Sequence, residues 1–425
     1  MGFADQYLSK QKGISPYFTR LPAERLRFVV VIPAYCEPNL TDALISLWNC
    51  TRPKGYAEVI IVVNSSEKAP QSVIDANLTT LHNVAEWIKE HNEPALHFLL
   101  IDKTNMPAHD AGVGLARKTG MDEALFRFNQ ISNPNGFILS FDADSHCDIN
   151  YFTAIEETTS RNPAVNGFTI YFEHPVSGNE FPEKVYRGII DYELHLRYLN
   201  QFLRYTGFPF AYHTVGSCFG VRADAYAEQG GMNKRKAGED FYFLHKIIPL
   251  GHFIDINCTR VIPSPRSSDR VPFGTGAAVS KYLSSDEESM QTYAPECFLA
   301  LQSLFQQVQK LYKGKPADIA NMIRQLPKPL QGYLHDQDAI EAIGEINANC
   351  RTVTTFINRF FRWFDAFRIV KYLNYASHSY FEQIPVREAV VRFLDIAGFK
   401  NLPETVNKYD LLMVLREIER GNGNQ

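Results

Sequence analysis

The amino-acid sequence predicts an α/β protein whose parallel sheet comes first and whose remainder is helical. Two observations carry that expectation. Before residue 145, four short apolar runs alternate with longer stretches of helical periodicity, and from Pro295 onward only helical patterns remain. Strands alternating with helices build a parallel sheet through right-handed crossovers.

The apolar runs are residues 28–32 (FVVVI), 59–63 (VIIVV), 97–101 (HFLLI) and 137–141 (FILSF), all rich in β-branched or aromatic side chains. At about five residues each, they suit strands buried on both faces. Residues 40–48, 72–90 and 114–128 between them space their apolar side chains as helices do. Further on, 166–172 and 215–221 read as strands, 252–262 as a broken strand and 183–205 as a helix. The texture changes near Ser284, and breaks at Gly314 to Pro316, Pro327 to Pro329, Pro385 and Pro403 separate the later helices. The expected organisation is a lead-in over 1–27, an α/β domain over 28–285 and a helical domain over 286–425, with the tail from Gly421 frayed.

Composition bounds the function. The 425 residues carry 43 Lys plus Arg against 47 Asp plus Glu, a formal charge of −4, which lacks the basic excess of a nucleic-acid binder. Apolar residues at 45% and charged residues at 21% mark an ordinary folded chain, and 30 Phe with 21 Tyr supply a large core. No signal-type apolar run stands near the start. No uncharged stretch reaches the roughly 18–20 residues of a membrane helix; the nearest candidate, 356–375, is interrupted by Arg359, Arg362, Asp365, Arg368 and Lys371. The seven cysteines are odd in number and form no Cys-x-x-Cys pair, which argues against a disulfide framework and a Cys-rich zinc site. The expected setting is the cytoplasm.

Ligands of open α/β sheets bind at the carboxyl ends of the strands. The four runs are followed by Pro33-Ala34-Tyr35-Cys36-Glu37, by Asn64-Ser65-Ser66-Glu67, by Asp102-Lys103 and by Asp142-Ala143-Asp144-Ser145. Asp142 and Asp144, two apart on an extended chain, leave the same face and repel unless a positive charge lies between them. A hard divalent cation, Mg²⁺ or Mn²⁺, satisfies two such carboxylates together with a substrate phosphate, whereas a solvated turn would leave both facing water. Gly112-Val113-Gly114 opens a helix whose free N–H groups suit an anion, with Arg117 and Lys118 adding charge near a diphosphate; an ordinary surface helix with a basic turn fits equally. Gly238-Glu239-Asp240 opens another helix. Its acidic residues suit the helix dipole, and Asp240, ionised at neutral pH with an ordinary carboxylate pKa, suits a general base. The basic loop 264–276 either folds over an anionic substrate or forms a seam between domains. In the helical part, Val353, Ile357, Phe360, Phe364 and Phe367 share one face, with Arg351, Arg359, Arg362, Arg368 and Lys371 among them. Such a face either packs against other helices or touches an anionic membrane.

In this order the segments resemble family 2 glycosyltransferases. Val31-Ile32-Pro33-Ala34-Tyr35-Cys36-Glu37 resembles their opening strand and Pro-x-Tyr-Asn-Glu segment, and Gly114 to Ala124 their Gly-x-x-x-Ala-Arg-Asn-x-Gly segment. Asp142-Ala143-Asp144 resembles their Asp-x-Asp motif, Gly216 to Arg222 their acceptor-side strand, and Glu239-Asp240 their Glu-Asp pair. The resemblance spans residues 28 to about 250 and implies a GT-A fold, a Rossmann-like mixed sheet flanked by helices. It further implies a UDP- or GDP-sugar donor, Mn²⁺ or Mg²⁺, and inversion at the anomeric carbon. By position, Asp142 and Asp144 would hold the metal, and Asp240 would be the base with Glu239 beside it. Pro33, Ala34, Tyr35, Glu37, Asn64, Arg117, Asp142 and Arg270 would line the donor site. Cys36 replaces the usual Asn, and Asn64-Ser65-Ser66 replaces the Asp-Gly-Ser that reads the base. Phe241-Tyr242-Phe243-Leu244 stands where processive synthases carry Gln-x-x-Arg-Trp, so non-processive transfer is expected. A nucleotidyltransferase and a catalytically silent nucleotide-sugar binder are the competing classes. The first lacks its glycine- and lysine-bearing loop after the first strand, and the second is opposed by the four acidic residues retained.

Overall fold

The computed structural model describes residues 2–11, 15–285, 289–399 and 406–421. The chain divides into two compact units. One comprises residues 1–186, 214–280 and 419–425; the other comprises 187–213 and 281–418.

The first unit is built on an eight-stranded sheet, β1 (Leu26–Ala34), β2 (Tyr56–Ser66), β3 (Leu96–Met106), β4 (Phe137–Ser140), β5 (His146–Cys147), β6 (Gly167–Phe172), β7 (Phe219–Arg222) and β8 (Phe253–Ile262), in the order β3-β2-β1-β4-β7-β6-β8-β5. β1 pairs parallel with β2 and β4, and β2 with β3, while β7 runs antiparallel to β4 and β6, and β8 lies parallel to β6. The sheet is therefore mixed, as expected. β1 and β2 are buried almost throughout, which is why they read as unbroken apolar runs. β8, read from sequence as broken, is continuous; a register shift opposite β6 between Ile170 and Phe172 accounts for its uneven pattern. The segment from Val215 joins the sheet only from Phe219, the stretch before it being loop.

The helices of this unit are α1 (Asp5–Leu8), α2 (Leu40–Trp48), α3 (Gln71–Glu90), α4 (Val113–Gln130), α5 (Tyr151–Arg161), the start of α6 (Glu183–Tyr205), α7 (Ala223–Glu228), α8 (Glu239–Ile247) and α9 (Thr275–Ser284). α4 departs most from its sequence pattern. It looks like a charged surface helix, yet Arg117, Lys118, Asp122, Glu123 and Arg127 on it are all buried. Each is paired, since a buried charge without a partner is very costly. Arg127 makes a two-pronged contact with Glu58. Glu123 accepts from the Tyr17 amide at 2.8 Å. Lys118 donates to Asp122 at 2.8 Å and to the Tyr7 hydroxyl at 2.7 Å, and Tyr226 donates to the same carboxylate at 2.7 Å. Gly120 lets α4 lie on the sheet: a Cβ there would stand 2.4 Å from Val31 Cγ1 and 3.1 Å from Val62 Cγ2.

The second unit contains the rest of α6, most of α17 (Lys408–Gly421), a two-residue pairing of β9 (Gln291–Thr292) with β10 (Ile384–Pro385), and helices α10 (Pro295–Phe305), α11 (Pro316–Gln325), α12 (Lys328–Asp336), α13 (Ala339–Ala348), α14 (Val353–Trp363), α15 (Ala366–Ser379) and α16 (Val386–Ile396). Prolines at or just inside the starts of α10, α11 and α12 explain why the sequence breaks fall there; Pro403 and the last four residues of the tail lie outside the described residues. The apolar face expected over 353–367 is divided between two helices. α14 stops at Trp363 and Asp365 caps α15, accepting from the Arg368 amide at 2.8 Å. Phe360 and Phe364 are fully buried, and Phe361 and Phe364 meet Phe305 ring to ring. Of the expected face, Phe360 and Phe364 pack inward, Ile357 and Phe367 are half-buried and Val353 is exposed. Among the described residues, no helix is long and apolar enough to cross a membrane.

Candidate active site

The strand directions gather one edge of the sheet. Because β6 and β8 run the same way as β1 to β4 and β7 runs against them, the carboxyl ends of β1, β2, β4 and β8 and the chain entering β7 share that edge. This brings Pro33 to Glu37, Asn64, Ser140 to Asp144, Gly216 and Arg266 together, although they come from five separate stretches of chain.

Arg117 is the hub. It leaves α4 with a side chain only 3% exposed. Its Nε donates to Glu239 Oε1 at 3.1 Å, its Nη2 to Asp142 Oδ1 at 2.9 Å, and its Nη1 to the Gly216 carbonyl at 3.1 Å and to the Ser140 hydroxyl. Ser140 in turn donates to the Gly216 carbonyl at 2.6 Å. Burial opposes the charge on this guanidinium, but Asp142 and Glu239 outweigh it and hold the group firmly protonated. One side chain thereby fixes the Asp-x-Asp turn and the Glu-Asp pair relative to each other.

The second carboxylate is met by a different arginine. Arg266 Nε lies 2.7 Å from Asp144 Oδ2, and its Nη2 lies 2.5 Å from Glu37 Oε1. Arg270 also pairs with Glu37, donates to the Cys36 carbonyl at 3.2 Å and sits over the Tyr35 ring at 5.6 Å. Burial pushes Asp144 up to about 6, with Arg266 pulling it down and Asp142 and Glu37 raising it further. The same loop bounds a cavity of about 420 Å³ lined by Arg266, Ser267, Ser268, Asp269, Arg270 and Ser280.

Asp240 stands in the first turn of α8, behind Gly238 in the left-handed conformation at φ +67°. Its Oδ1 accepts from the Phe241 amide at 2.7 Å. Glu239 is buried, while the backbone carbonyl of Glu239 accepts from Asn233 at 2.9 Å. Gly216 presses against Asp240: a Cβ there would lie 2.9 Å from Asp240 Oδ2 and 3.3 Å from Arg117 Nη2. Burial first, and the neighbouring Glu239 second, push the Asp240 carboxyl up to about 7. The sequence reading of an ordinary, fully ionised carboxylate is thus corrected. A group poised near neutrality is matched to proton transfer at that pH.

The other expected residues divide. Pro33 and Ala34 are buried within β1. Asn64 is buried too; its side-chain amide donates to the Ala34 carbonyl at 2.8 Å, and its backbone carbonyl accepts from the Asn77 side-chain amide at 2.9 Å. Asn77 also accepts from the Cys36 amide at 2.9 Å, supporting that residue at φ +50°. Lys118 faces the Tyr7–Asp122–Tyr226 cluster, one residue round the helix from Arg117, and does not join the sheet-edge carboxylates. The Gly112–Gly114 start of α4 serves packing: a Cβ on Gly114 would fall 2.0 Å from the Arg235 carbonyl oxygen, and one on Gly112 3.3 Å from Lys236. Ser140, the Gly216 carbonyl and Asn77 escaped the sequence reading. For the first two, their place at a strand end or entry on the acidic edge was the available signal; Asn77 lies in mid-helix and gave none.

Among the described residues, no three His, Cys, Asp or Glu side chains cluster closely enough to hold a cation by themselves. Asp142 and Asp144 commit one oxygen each to an arginine. Two hard carboxylate donors still suit an oxygen-seeking cation whose remaining ligands are phosphate and water.

No family model matches the sequence, and no curated protein matches it. Among solved structures, it is similar to S. aureus TarS 1–349 in complex with UDP-GlcNAc, at a TM-score of 0.40 and 13% identity over 79% of this chain and 92% of that one. It is also similar to the mannosyltransferase PcManGT from Pyrobaculum calidifontis in complex with GDP-Man and Mn²⁺, at a TM-score of 0.36 and 14% identity over 99% of this chain and 93% of that one. No residue role transfers at these scores.

Proposed function

We propose that this chain is a GT-A glycosyltransferase resembling family 2, which moves a sugar from a UDP- or GDP-sugar to an acceptor hydroxyl, non-processively and with inversion. The observation that carries the reading is one buried arginine, Arg117, which joins Asp142 of the Asp-x-Asp turn to Glu239 of the Glu-Asp pair. A donor-side carboxylate and an acceptor-side base are thereby held in one rigid constellation.

In this reading Asp240 takes the proton of the acceptor hydroxyl as that oxygen bonds to the anomeric carbon and the bond to the diphosphate breaks. A pKa near 7 leaves about half of Asp240 ionised at neutral pH while keeping it basic enough to help. Arg117 pulls Asp240 down against burial and Glu239, so the carboxyl is not driven higher still. Tyr35, Glu37 and Arg270 border the donor side, and Pro33, Ala34 and Asn64 shape the strand ends beneath it. Asp142 and Asp144 would hold a divalent cation, Mn²⁺ or Mg²⁺, which would offset charge on the leaving diphosphate.

A thermal-shift panel tests this. UDP or GDP should raise the melting temperature only when Mn²⁺ or Mg²⁺ is present, because a ligand that binds the folded state stabilises it by mass action. The Asp142→Ala, Asp144→Ala double variant should lose that metal-dependent increment; an undiminished increment refutes the metal assignment.

A further inference from the structure

We infer that Arg266 is a stand-in cation for Asp144, which a divalent metal must displace and which is then released to the diphosphate. This rests on the transferase reading above and goes beyond it by making the binding of metal and diphosphate mutually dependent through one side chain.

Three observations carry it. First, the two carboxylates of the Asp-x-Asp turn are neutralised by arginines of different character. Arg117 is 3% exposed and has four partners in the floor of the site, whereas Arg266 is 30% exposed and rides on a loop. Second, Arg266 bridges Asp144 and Glu37, and Glu37 has a second cation, Arg270, so among the described residues removing Arg266 leaves Asp144 and not Glu37 without a paired cation. Third, Arg266 and Arg270 both line the cavity that their loop shares with Ser267, Ser268 and Ser280. With Asp269 as the one carboxylate of that lining, two guanidinium groups and three hydroxyls leave it net positive, which suits a phosphoryl group.

The charges explain the coupling. Without ligands, Arg266 satisfies Asp144, and a divalent cation approaching that carboxylate meets the guanidinium's repulsion. A diphosphate in the cavity supplies Arg266 with a new anion and frees Asp144. Each ligand then strengthens the other by the same factor, as linkage requires.

The test is a Mn²⁺ titration of the full chain, read by the electron paramagnetic resonance signal of free Mn²⁺ at fixed ionic strength. Wild type, Arg266→Gln and Arg266→Lys are compared without nucleotide and then with UDP or GDP. Without nucleotide, Arg266→Gln should bind Mn²⁺ about tenfold more tightly than wild type, the size expected for removing one adjacent charge at a partly exposed site. Arg266→Lys, which keeps the charge but not the bridge, should fall between them and also serves if the Gln variant fails to fold. Adding nucleotide should tighten Mn²⁺ binding more in wild type than in Arg266→Gln. Equal nucleotide-free affinities in all three proteins would overturn the role of Arg266 and leave the transferase reading standing. Failure of every protein to bind Mn²⁺ even with UDP and GDP would instead overturn the metal assignment beneath both.

Discussion

Replacing Asp240 by Asn tests the central claim in two independent ways. In the unfolded chain its carboxyl titrates near 3.8, and in the folded protein near 7, because burial and Glu239 disfavour its charge. Below pH 3.8 the group is protonated in both states and costs nothing. As pH rises through 3.8 the unfolded state loses its proton while the folded state keeps it, so stability falls, and the cost is complete only above pH 7. At about 1.4 kcal/mol per tenfold, the difference amounts to under about 2 kcal/mol at pH 5 and roughly 4 kcal/mol at pH 8, before relaxation reduces both. Asn carries no charge, so ligand-free Asp240→Asn should melt higher than wild type at pH 8, by a margin that shrinks towards pH 5. The second arm is kinetic. With a pKa near 7, the ionised fraction rises from about 9% at pH 6 to about 91% at pH 8, so wild-type kcat/KM should rise about tenfold over that interval. The variant should keep donor binding and lose transfer. Equal melting margins at both pH values together with a flat wild-type profile would refute the poised base.

Two further substitutions separate the parts of the site. Gly216→Ala places a methyl group 2.9 Å from Asp240 Oδ2; kcat should fall by at least about tenfold, with donor KM nearly unchanged, because misplacing a reacting group costs rate more than ground-state binding. Arg117→Met leaves the buried Glu239 without its cation and the partly exposed Asp142 without its partner; chemical denaturation should show a loss of about 3–5 kcal/mol, the usual cost of breaking a buried pair such as Arg117–Glu239. A loss below about 1 kcal/mol would mean that water enters and solvates Glu239.

The sheet was legible because its signal is local. A strand buried on both faces needs apolar side chains at every position, so β1 and β2 announce themselves in five residues. The acidic strand ends were legible because parallel topology dictates where polar residues gather. What stayed hidden depends on partners distant in sequence. The five charges of α4 look solvated in isolation, and their burial depends on distant partners: Glu58, Tyr7, Tyr226, the Tyr17 amide, Asp142 and Glu239. The glycines at 112 and 114 invite an anion-binding reading from sequence, where nothing nearby says that Lys236 and the Arg235 backbone pack against them. The pKa of Asp240 follows from enclosure, which no spacing rule encodes.

Two carboxylates at spacing two do require a counter-charge, and that much followed from electrostatics alone. A bound cation is one solution, and a guanidinium is another. Here Asp142 takes its charge from a helix 25 residues earlier and Asp144 from a loop more than 100 residues later. The difference in exposure between the two arginines, 3% against 30%, separates their duties. A guanidinium sealed among four partners cannot leave without stranding buried charge, so Arg117 is architecture. One that rests partly in water, with its second carboxylate already served by Arg270, can be exchanged at little cost, and an exchangeable cation beside a cavity lined by arginine and serine is what a diphosphate donor would use.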